Sequence, residues 1–373
     1  MKICLTIPFN YHSETASFAL PYGLAVIAAI VKQNYPNSDL YYSSNEKDIL
    51  DADIIYCSGL SESWDLVNEL GKKATDLGKR FIVGGQHATA LPHTLRYGEV
   101  FQGPLENFDK FWTNPLPDWS IFSAEHSKNA RYAVMTSRGC PFKCRFCSSS
   151  SFWGGYMPMP TNRVIAEIRQ LADMGVEEII LFDDLFTANI KRLRALVNKI
   201  TQEGLNKIKY SCLVRADTIS TEVLDLLREM NVVNTAFGAE SGSDIILRVM
   251  NKKTTRKQNQ HCINSLLAYG YTPVFSLIVG FPGETSSTLA ETFNFIIENK
   301  AKCLPEVYPV QPLPGTWLWE YFMSHHAPDL ESFNWSSLGL RGNKVDWDTY
   351  HLLSNSCTLD DLRDFYFKLT KLL

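Results

Sequence analysis

The sequence lacks an excess of charge of either sign. Its 36 Lys and Arg stand against 40 Asp and Glu, a formal net charge of -4 over 373 residues. A general nucleic-acid binder carries a strong basic excess, so no nucleic-acid partner is expected. The one local basic run, Asn251-Lys252-Lys253 through Arg256-Lys257, reads as solvated surface. Long apolar runs are missing as well. Leu24 to Val31 and Phe275 to Val279 fall far short of the ~20 residues a bilayer requires, and no membrane partner is expected. Met1 to Pro8 reads as a strand and lacks the charged-then-apolar layout of a secretory signal, so the expected compartment is the cytoplasm. No short-period repeat or low-complexity tract is visible.

A disulfide framework is also missing. The nine cysteines are Cys4, Cys57, Cys140, Cys144, Cys147, Cys212, Cys262, Cys303 and Cys357. The number is odd, and most are scattered among apolar neighbours. That suits free thiols in a reducing compartment. Only Cys140, Cys144 and Cys147 are clustered.

What is present is an α/β pattern. With 45% hydrophobic residues, the chain can bury a substantial core in two or three domains. Residues 1–105 alternate strands (Ile3 to Pro8, Asp39 to Tyr42, Asp53 to Ser58, Arg80 to Val83, Val100 to Gln102) with helices (Tyr22 to Gln33, Trp64 to Leu77). This predicts a doubly wound, Rossmann-like parallel sheet, which binds ligands at the carboxyl ends of its strands. Residues 106–130 are rich in Pro, Trp, Asn and Asp and read as a linker.

A second series over 131–314 offers six strands: Tyr132 to Thr136, Glu178 to Phe182, Lys209 to Leu213, Val232 to Phe237, Val274 to Val279 and Glu306 to Val310. Five helices lie between them: Val164 to Met174, Ile190 to Glu203, Glu222 to Met230, Arg256 to Tyr269 and Ser286 to Asn299. Six such units predict a partial (β/α)6 barrel of the TIM type, with chemistry at the strands' carboxyl ends. The tail, 315–373, holds Trp317, Trp319, Trp335 and Trp347. It reads as a cap over the barrel mouth and a substrate region, or as plain packing.

The clustered cysteines lie in Ser137-Arg138-Gly139-Cys140-Pro141-Phe142-Lys143-Cys144-Arg145-Phe146-Cys147, just after the first barrel strand. Thiolates are soft ligands that suit iron–sulfur clusters and zinc. Three on one short loop reach three corners of a [4Fe–4S] cube and leave one iron open to a small molecule. Zinc would need a fourth ligand, with His126 or Cys212 as candidates. Plain structural thiols are the third reading.

The Cys-x3-Cys-x2-Cys spacing, with Phe146 before the last cysteine, resembles the hallmark of the radical S-adenosylmethionine (SAM) superfamily. The resemblance extends along the barrel. Phe182-Asp183-Asp184-Leu185-Phe186-Thr187 ends the second barrel strand, Arg215-Ala216-Asp217 the third, and Gly238-Ala239-Glu240-Ser241-Gly242-Ser243 the fourth. Gly280-Phe281-Pro282-Gly283-Glu284-Thr285 ends the fifth, and Pro314-Gly315-Thr316 follows the sixth. It implies that Cys140, Cys144 and Cys147 hold a [4Fe–4S] cluster whose free iron chelates SAM. One electron then breaks a carbon–sulfur bond, giving methionine and a 5′-deoxyadenosyl radical. The cofactors carry this chemistry while the protein supplies position and a dry pocket. The implied SAM contacts are Asp183 or Asp184 at the ammonium group, Arg215 at the carboxylate, and Glu240 and Ser241 at ribose or carboxylate. Phe146 and Val279 would flank adenine. The structural alternatives are a helix cap for the aspartates, an ion pair for Arg215, and plain core for Phe146 and Val279. The resemblance also implies an electron donor such as a flavodoxin or ferredoxin.

The N-terminal region resembles the cobalamin (B12)-binding domain that precedes the barrel in one branch of the superfamily. The residues that carry this are Tyr22 and Gly23 in Leu20-Pro21-Tyr22-Gly23, Ser58 and Gly59 after the third strand, Gly84, Gly85 and Gln86 after the fourth, and Gly103. Small residues at strand ends let a large planar ligand approach. There are departures. No Asp-x-His-x-x-Gly supplies a histidine to cobalt, and Gly103-Pro104-Leu105-Glu106 stands where the branch usually reads Gly-Glu-Gly-Glu. His12 reads as a loop residue and His87 as a turn residue before either reads as a ligand. The implied function is a cobalamin-dependent radical methyltransferase acting on an unactivated carbon or phosphorus of a small molecule or peptide. Radical rearrangement, oxidation or adenosyl addition over a degenerate N-terminal domain is the second reading, and a non-catalytic metal- or cofactor-binding module the third.

Overall fold

The computed structural model describes residues 1–8, 19–103, 113–123, 130–339, 347–348 and 350–372. His12, His126 and the stretch Pro104-Leu105-Glu106 lie outside the described residues. The chain divides into two compact units. One comprises Met1–Met135, Pro158–Ile180 and Pro328–Gly339, and the other Thr136–Met157, Leu181–Ala327 and Leu340–Leu373.

The first unit carries β1 (Lys2–Thr6), β2 (Asp39–Tyr42), β3 (Ile54–Ser58), β4 (Arg80–Gly84) and β5 (Glu99–Val100). Their order is β2-β1-β3-β4-β5, and every neighbouring pair is parallel. Ile3, Cys4, Leu5, Ile55 and Val83 are fully buried, as expected of a parallel sheet covered on both faces. The helices Tyr22–Asn34 and Trp64–Asp76 supply crossovers that a parallel sheet cannot do without. The winding direction reverses between β1 and β3. The ligand crevice of such a sheet lies there, outside the carboxyl ends.

The remaining strands are β6 (Tyr132–Val134), the short pair β7 (Ser137–Arg138) and β8 (Met157–Pro158), β9 (Glu178–Leu181), β10 (Lys209–Val214), β11 (Val232–Glu240), β12 (Val274–Val279) and β13 (Leu304–Pro309). The six-stranded sheet runs β13-β12-β11-β10-β9-β6. Strand alternation sorts its faces. Tyr210, Cys212, Phe237, Ala239, Phe275, Leu277 and Val279 are buried on one side. Each large one contributes roughly 1.5–3 kcal/mol by leaving water. The opposite face carries Ser211, Ala236, Gly238, Val274, Ser276 and Ile278, all half-buried. In register, Leu213 pairs with Ala236 and Ala236 in turn with Val274, while Gly238 pairs with Ser276, so the small side chains of Ala236 and Ser276 leave room in front of this wall.

All the expected strands and long helices form, with no end moved by more than three residues. One three-residue shift is in β11, which runs on through Gly238, Ala239 and Glu240. Those residues read as a loop because of the glycine, and a register shift against β12 falls between Gly238 and Glu240. Such a bulge re-aims side chains at a strand end. The tail contributes two helices, Trp317–His326 and Leu359–Thr370, the second opened by a reciprocal cap between Thr358 and Asp361. Among the described residues, no helix is long and apolar enough to cross a membrane.

Candidate functional site

The cysteine loop leaves the end of β6 through a clamp built from β9. Asp183 is buried, and its carboxylate accepts from the Thr136 amide at 2.5 Å, the Thr136 hydroxyl at 2.7 Å and the Ser137 hydroxyl at 2.5 Å. Burial pushes this carboxyl upward, and the three donors oppose it. Asp184 accepts from the Gly139 amide at 3.0 Å, and burial raises it too. Gly139 has φ +69°, and a Cβ there would lie 1.9 Å from the Gly155 carbonyl oxygen. Only glycine fits this step into the loop. Both aspartates named as SAM contacts are thus engaged in fixing the loop's entry.

Cys140, Cys144 and Cys147 follow, all half-buried. The Cys147 amide donates to the Cys144 carbonyl at 3.2 Å, closing a turn that gathers the last two. Burial raises the Cys140 thiol and pushes Cys147 up to about 11. A bound metal must therefore displace the protons. Among the described residues, no three His, Cys, Asp or Glu side chains group closely enough to hold a single metal ion. Cys212 lies within β10 and is buried. The arrangement suits a cube, in which each thiolate takes a different iron, better than a one-ion zinc cage.

The far side of the loop is tied down as well. The Arg145 amide donates to Met250 O and its guanidinium to Val249 O, both at 3.0 Å. Asn251 donates to Lys143 O at 2.6 Å, and the Leu318 amide to Arg145 O at 3.0 Å. Arg215 is buried beside the loop. Its Nε meets Asp217 at 2.6 Å, it donates to Lys252 O, and its Nη1 lies 3.8 Å from Cys144 Sγ. Its guanidinium stacks 3.7 Å over the Phe142 ring.

One feature escaped sequence reasoning. Glu240 is non-glycine yet has φ +63°, a left-handed conformation that costs about 1–2 kcal/mol. Its carboxylate meets Lys252 Nζ at 2.7 Å in a pair only 8% exposed on both sides. Lys252 Nζ also lies 6.0 Å from the centre of the Phe146 ring. Gly238 makes room, because a Cβ there would stand 1.9 Å from Glu240 Oε1. Lys252, read as solvated surface, is instead buried at the strand ends. Its signal was its position next to the apolar stretch Ile245 to Met250, outside any recognisable motif.

The remaining SAM candidates divide. Phe146 sits edge-on to Phe281 with centroids 6.5 Å apart, beside the Lys252–Glu240 pair. Ser241 is fully buried, its hydroxyl engaged by Thr292 at 3.1 Å and by the Ser243 amide at 3.0 Å. Val279 is fully buried in register with Pro309.

In the first unit, Ser58, Gly59, Gly84, Gly85, Gln86 and Gly103 gather at the carboxyl edge of the sheet. The Gly59 amide donates to Gly84 O at 3.0 Å, and the Gly103 amide to Thr89 Oγ1 at 2.9 Å. Among the described residues, a Cβ at Gly84 would make only ordinary contact, with Phe101 O at 3.7 Å, and one at Gly103 would meet nothing within 4 Å. Gly59 serves packing instead, since a Cβ there would meet the Trp64 ring at 2.5 Å. Gly85 takes φ +106° to open the helix Gln86–Ala90. Tyr22 is buried with its hydroxyl on Glu167 at 3.0 Å, whereas Gly23 is exposed with nothing near it. His87 is buried, its Nδ1 2.9 Å from Ser61 Oγ and its Nε2 3.1 Å from Thr94 Oγ1. Burial pushes it down to about 3, so it is neutral and both nitrogens are engaged.

Residues 134–296 match the family model of the radical SAM superfamily. The chain is 34% identical to an uncharacterised methyltransferase of Pyrococcus horikoshii, over 90% of this chain and 85% of that protein. It is 30% identical to the anaerobic magnesium-protoporphyrin IX monomethyl ester cyclase of Rubrivivax gelatinosus, over 59% of this chain but only 41% of the cyclase. The structure superimposes on that of the radical SAM methyltransferase TsrM of Kitasatospora setae, solved with cobalamin and a [4Fe–4S] cluster bound. The TM-score is 0.69 at 13% identity, over 85% of this chain and 76% of that one. The cysteine loop, the barrel-strand motifs and these likenesses agree, and the chain belongs to the radical S-adenosylmethionine superfamily, in the branch with a Rossmann-like domain of the cobalamin-binding type ahead of the barrel.

Proposed function

We propose that this protein is a cobalamin-dependent radical SAM methyltransferase acting on an unactivated carbon or phosphorus of a small molecule or peptide. The observation that carries the reading is the cysteine loop: three half-buried thiols held by clamps at both ends, with no three His, Cys, Asp or Glu side chains among the described residues close enough together to hold a single metal ion. When bound there, the cluster would supply the single electron that cleaves SAM to methionine and a 5′-deoxyadenosyl radical, and cobalamin would carry the methyl group.

This chain's own residues do the positioning. Cys140, Cys144 and Cys147 would ligate three irons. Asp183 and Asp184 hold the loop's entry through Thr136, Ser137 and Gly139. The Lys252 ammonium, held by Glu240, offers a cation to the SAM carboxylate, and Phe146 beside it offers a face to adenine. Arg215 is committed to Asp217 and the Cys144 side of the loop, which supports a place beside the cluster rather than at SAM. The small residues Ala236 and Ser276 leave space for a substrate in front of the sheet. Cobalamin would lie against Gly84 and Gly103, where the backbone is open, while Gly59, Gly85 and Tyr22 shape the edge from within.

The test is anaerobic reconstitution followed by product analysis. The expected protein binds four irons and four sulfides, takes up hydroxocobalamin, and forms 5′-deoxyadenosine together with S-adenosylhomocysteine. A Cys140→Ala/Cys144→Ala/Cys147→Ala variant loses cluster and SAM cleavage together. Iron-free wild-type protein would end the radical reading. The cyclase likeness favours one alternative, radical chemistry without methyl transfer. That outcome would give 5′-deoxyadenosine with no S-adenosylhomocysteine.

A further inference from the structure

We propose that Glu306, aimed by Tyr308, selects the substrate, and that it takes a protonated amine carried on an apolar frame. The proposal rests on the reading of the space in front of the sheet as the substrate site, and it names the class of molecule that fits there.

On β12 and β13 the front face of the sheet is made by Val274, Ser276, Ile278, Leu304, Glu306 and Tyr308. Glu306 alone among them is charged. It is exposed, and Leu304 on the same strand is 57% exposed. Its place is fixed from two directions. Along β13, the Tyr308 hydroxyl donates to Glu306 Oε2 at 3.0 Å. Burial, and then the Glu306 charge, push that hydroxyl up to about 12, so it keeps its proton and remains the donor. The carboxylate has acceptor sites to spare. Across the sheet, Glu306 is in register with Ser276, and Ser276 with Gly238. The space over Gly238 holds Glu240 Oε1 and Lys252 Nζ, because a Cβ there would meet them at 1.9 and 3.0 Å. Two strand spacings separate Glu306 from that position, roughly 10 Å. A substrate held by Glu306 would lie over the small side chain of Ser276, next to the ammonium proposed for the SAM carboxylate.

An edge strand can carry a charge merely to repel other strands. β13 lies at the edge of its sheet but has no need of one. The Leu304 amide donates to Pro273 O and the Val310 amide to Val279 O, so even-numbered residues turn their backbone to β12 and odd-numbered ones to the free edge. Two of the latter, Pro305 and Pro309, have no N–H to offer. The Tyr366 hydroxyl donates to Val307 O at 3.2 Å and covers the group between them. The edge is closed without Glu306. What remains is an oriented anion on a wall that is otherwise apolar at Val274, Ile278 and Leu304. Such a wall gives burial to carbon and one charge-assisted hydrogen bond to a cationic nitrogen. It would repel a carboxylate or a phosphate.

The experiment titrates reconstituted holoprotein, with SAM present, against probes of one shape: n-hexylammonium, n-hexanol and n-hexanoate. Binding is read by ligand-observed NMR for wild type, Glu306→Gln and Tyr308→Phe, and iron content and melting temperature are measured for each. Wild type is expected to bind hexylammonium about tenfold more tightly than hexanol, with hexanoate the weakest. In Glu306→Gln the preference for hexylammonium over hexanol disappears. In Tyr308→Phe it falls about threefold, because the carboxylate stays but is no longer aimed. Iron content and melting temperature stay at wild-type level in both. A wild type without the preference, or a preference that survives Glu306→Gln, would overturn the proposal. So would a fall in iron content or melting temperature in both variants, which would make the pair part of the sheet's architecture. The titration needs no turnover, so its result is separate from the radical reading, which fails if wild type forms no 5′-deoxyadenosine with dithionite.

Discussion

Replacing Gly238 by alanine should dismantle the buried Glu240–Lys252 pair without touching either residue. The added Cβ would stand 1.9 Å from Glu240 Oε1 and 3.0 Å from Lys252 Nζ. Ordinary contact requires the carboxylate to retreat by about 1.5 Å. That would carry a 2.7 Å ion pair past the ~4 Å limit for a salt bridge. Both side chains are 8% exposed, so water cannot replace the lost partner. Breaking such a pair costs about 3–5 kcal/mol. In a unit of this size that lowers the melting temperature by roughly 10 °C. Because Lys252 is the proposed partner of the SAM carboxylate, SAM affinity should fall as well. The assay is thermal unfolding in a double-mutant cycle with Glu240→Ala. If the glycine acts by leaving room for that carboxylate, Gly238→Ala adds little once the carboxylate is gone. Additive losses would refute the reasoning.

Two further outcomes follow from buried groups. Gly139→Ala puts a Cβ 1.9 Å from the Gly155 carbonyl at φ +69°, a local cost of about 2–4 kcal/mol. Iron and sulfide assays after reconstitution should show most of the cluster lost, and full incorporation would sink the argument. Glu284 is fully buried, with Thr288 donating to one oxygen at 2.5 Å and no partner for the other among the described residues, and burial pushes its pKa up to about 7. A carboxyl raised above its unfolded value near ~4.3 binds its proton more tightly when folded. Its contribution is therefore complete below pH ~4.3 and is lost as pH rises through about 7, by about 3 kcal/mol in all. Urea unfolding between pH 5 and 8 should show this decline in wild type and a flatter profile in Glu284→Gln. Identical profiles would assign the pH dependence elsewhere.

What the sequence by itself determined is whatever depends on neighbours along the chain. Apolar period and strand-to-helix alternation located β1 to β4 and the barrel strands, because these patterns answer to local burial. The Cys140-Cys144-Cys147 spacing is local too, as is the left-handed step at Gly139 that precedes it. Tertiary structure alone decided what each strand-end residue does. Asp183 and Asp184 became clamps of the cysteine loop because β9 brings them to Thr136, Ser137 and Gly139, 45 to 47 residues away. Lys252 left the surface because a bulge in β11 aims Glu240 at it, and Arg215 was claimed by Asp217 and the cysteine loop. The tail divided between the two units, with Trp335 packing on His87 and Trp317 on Phe281. Such partners are chosen by burial and pairing between segments far apart in sequence, and no local pattern encodes which segments will meet.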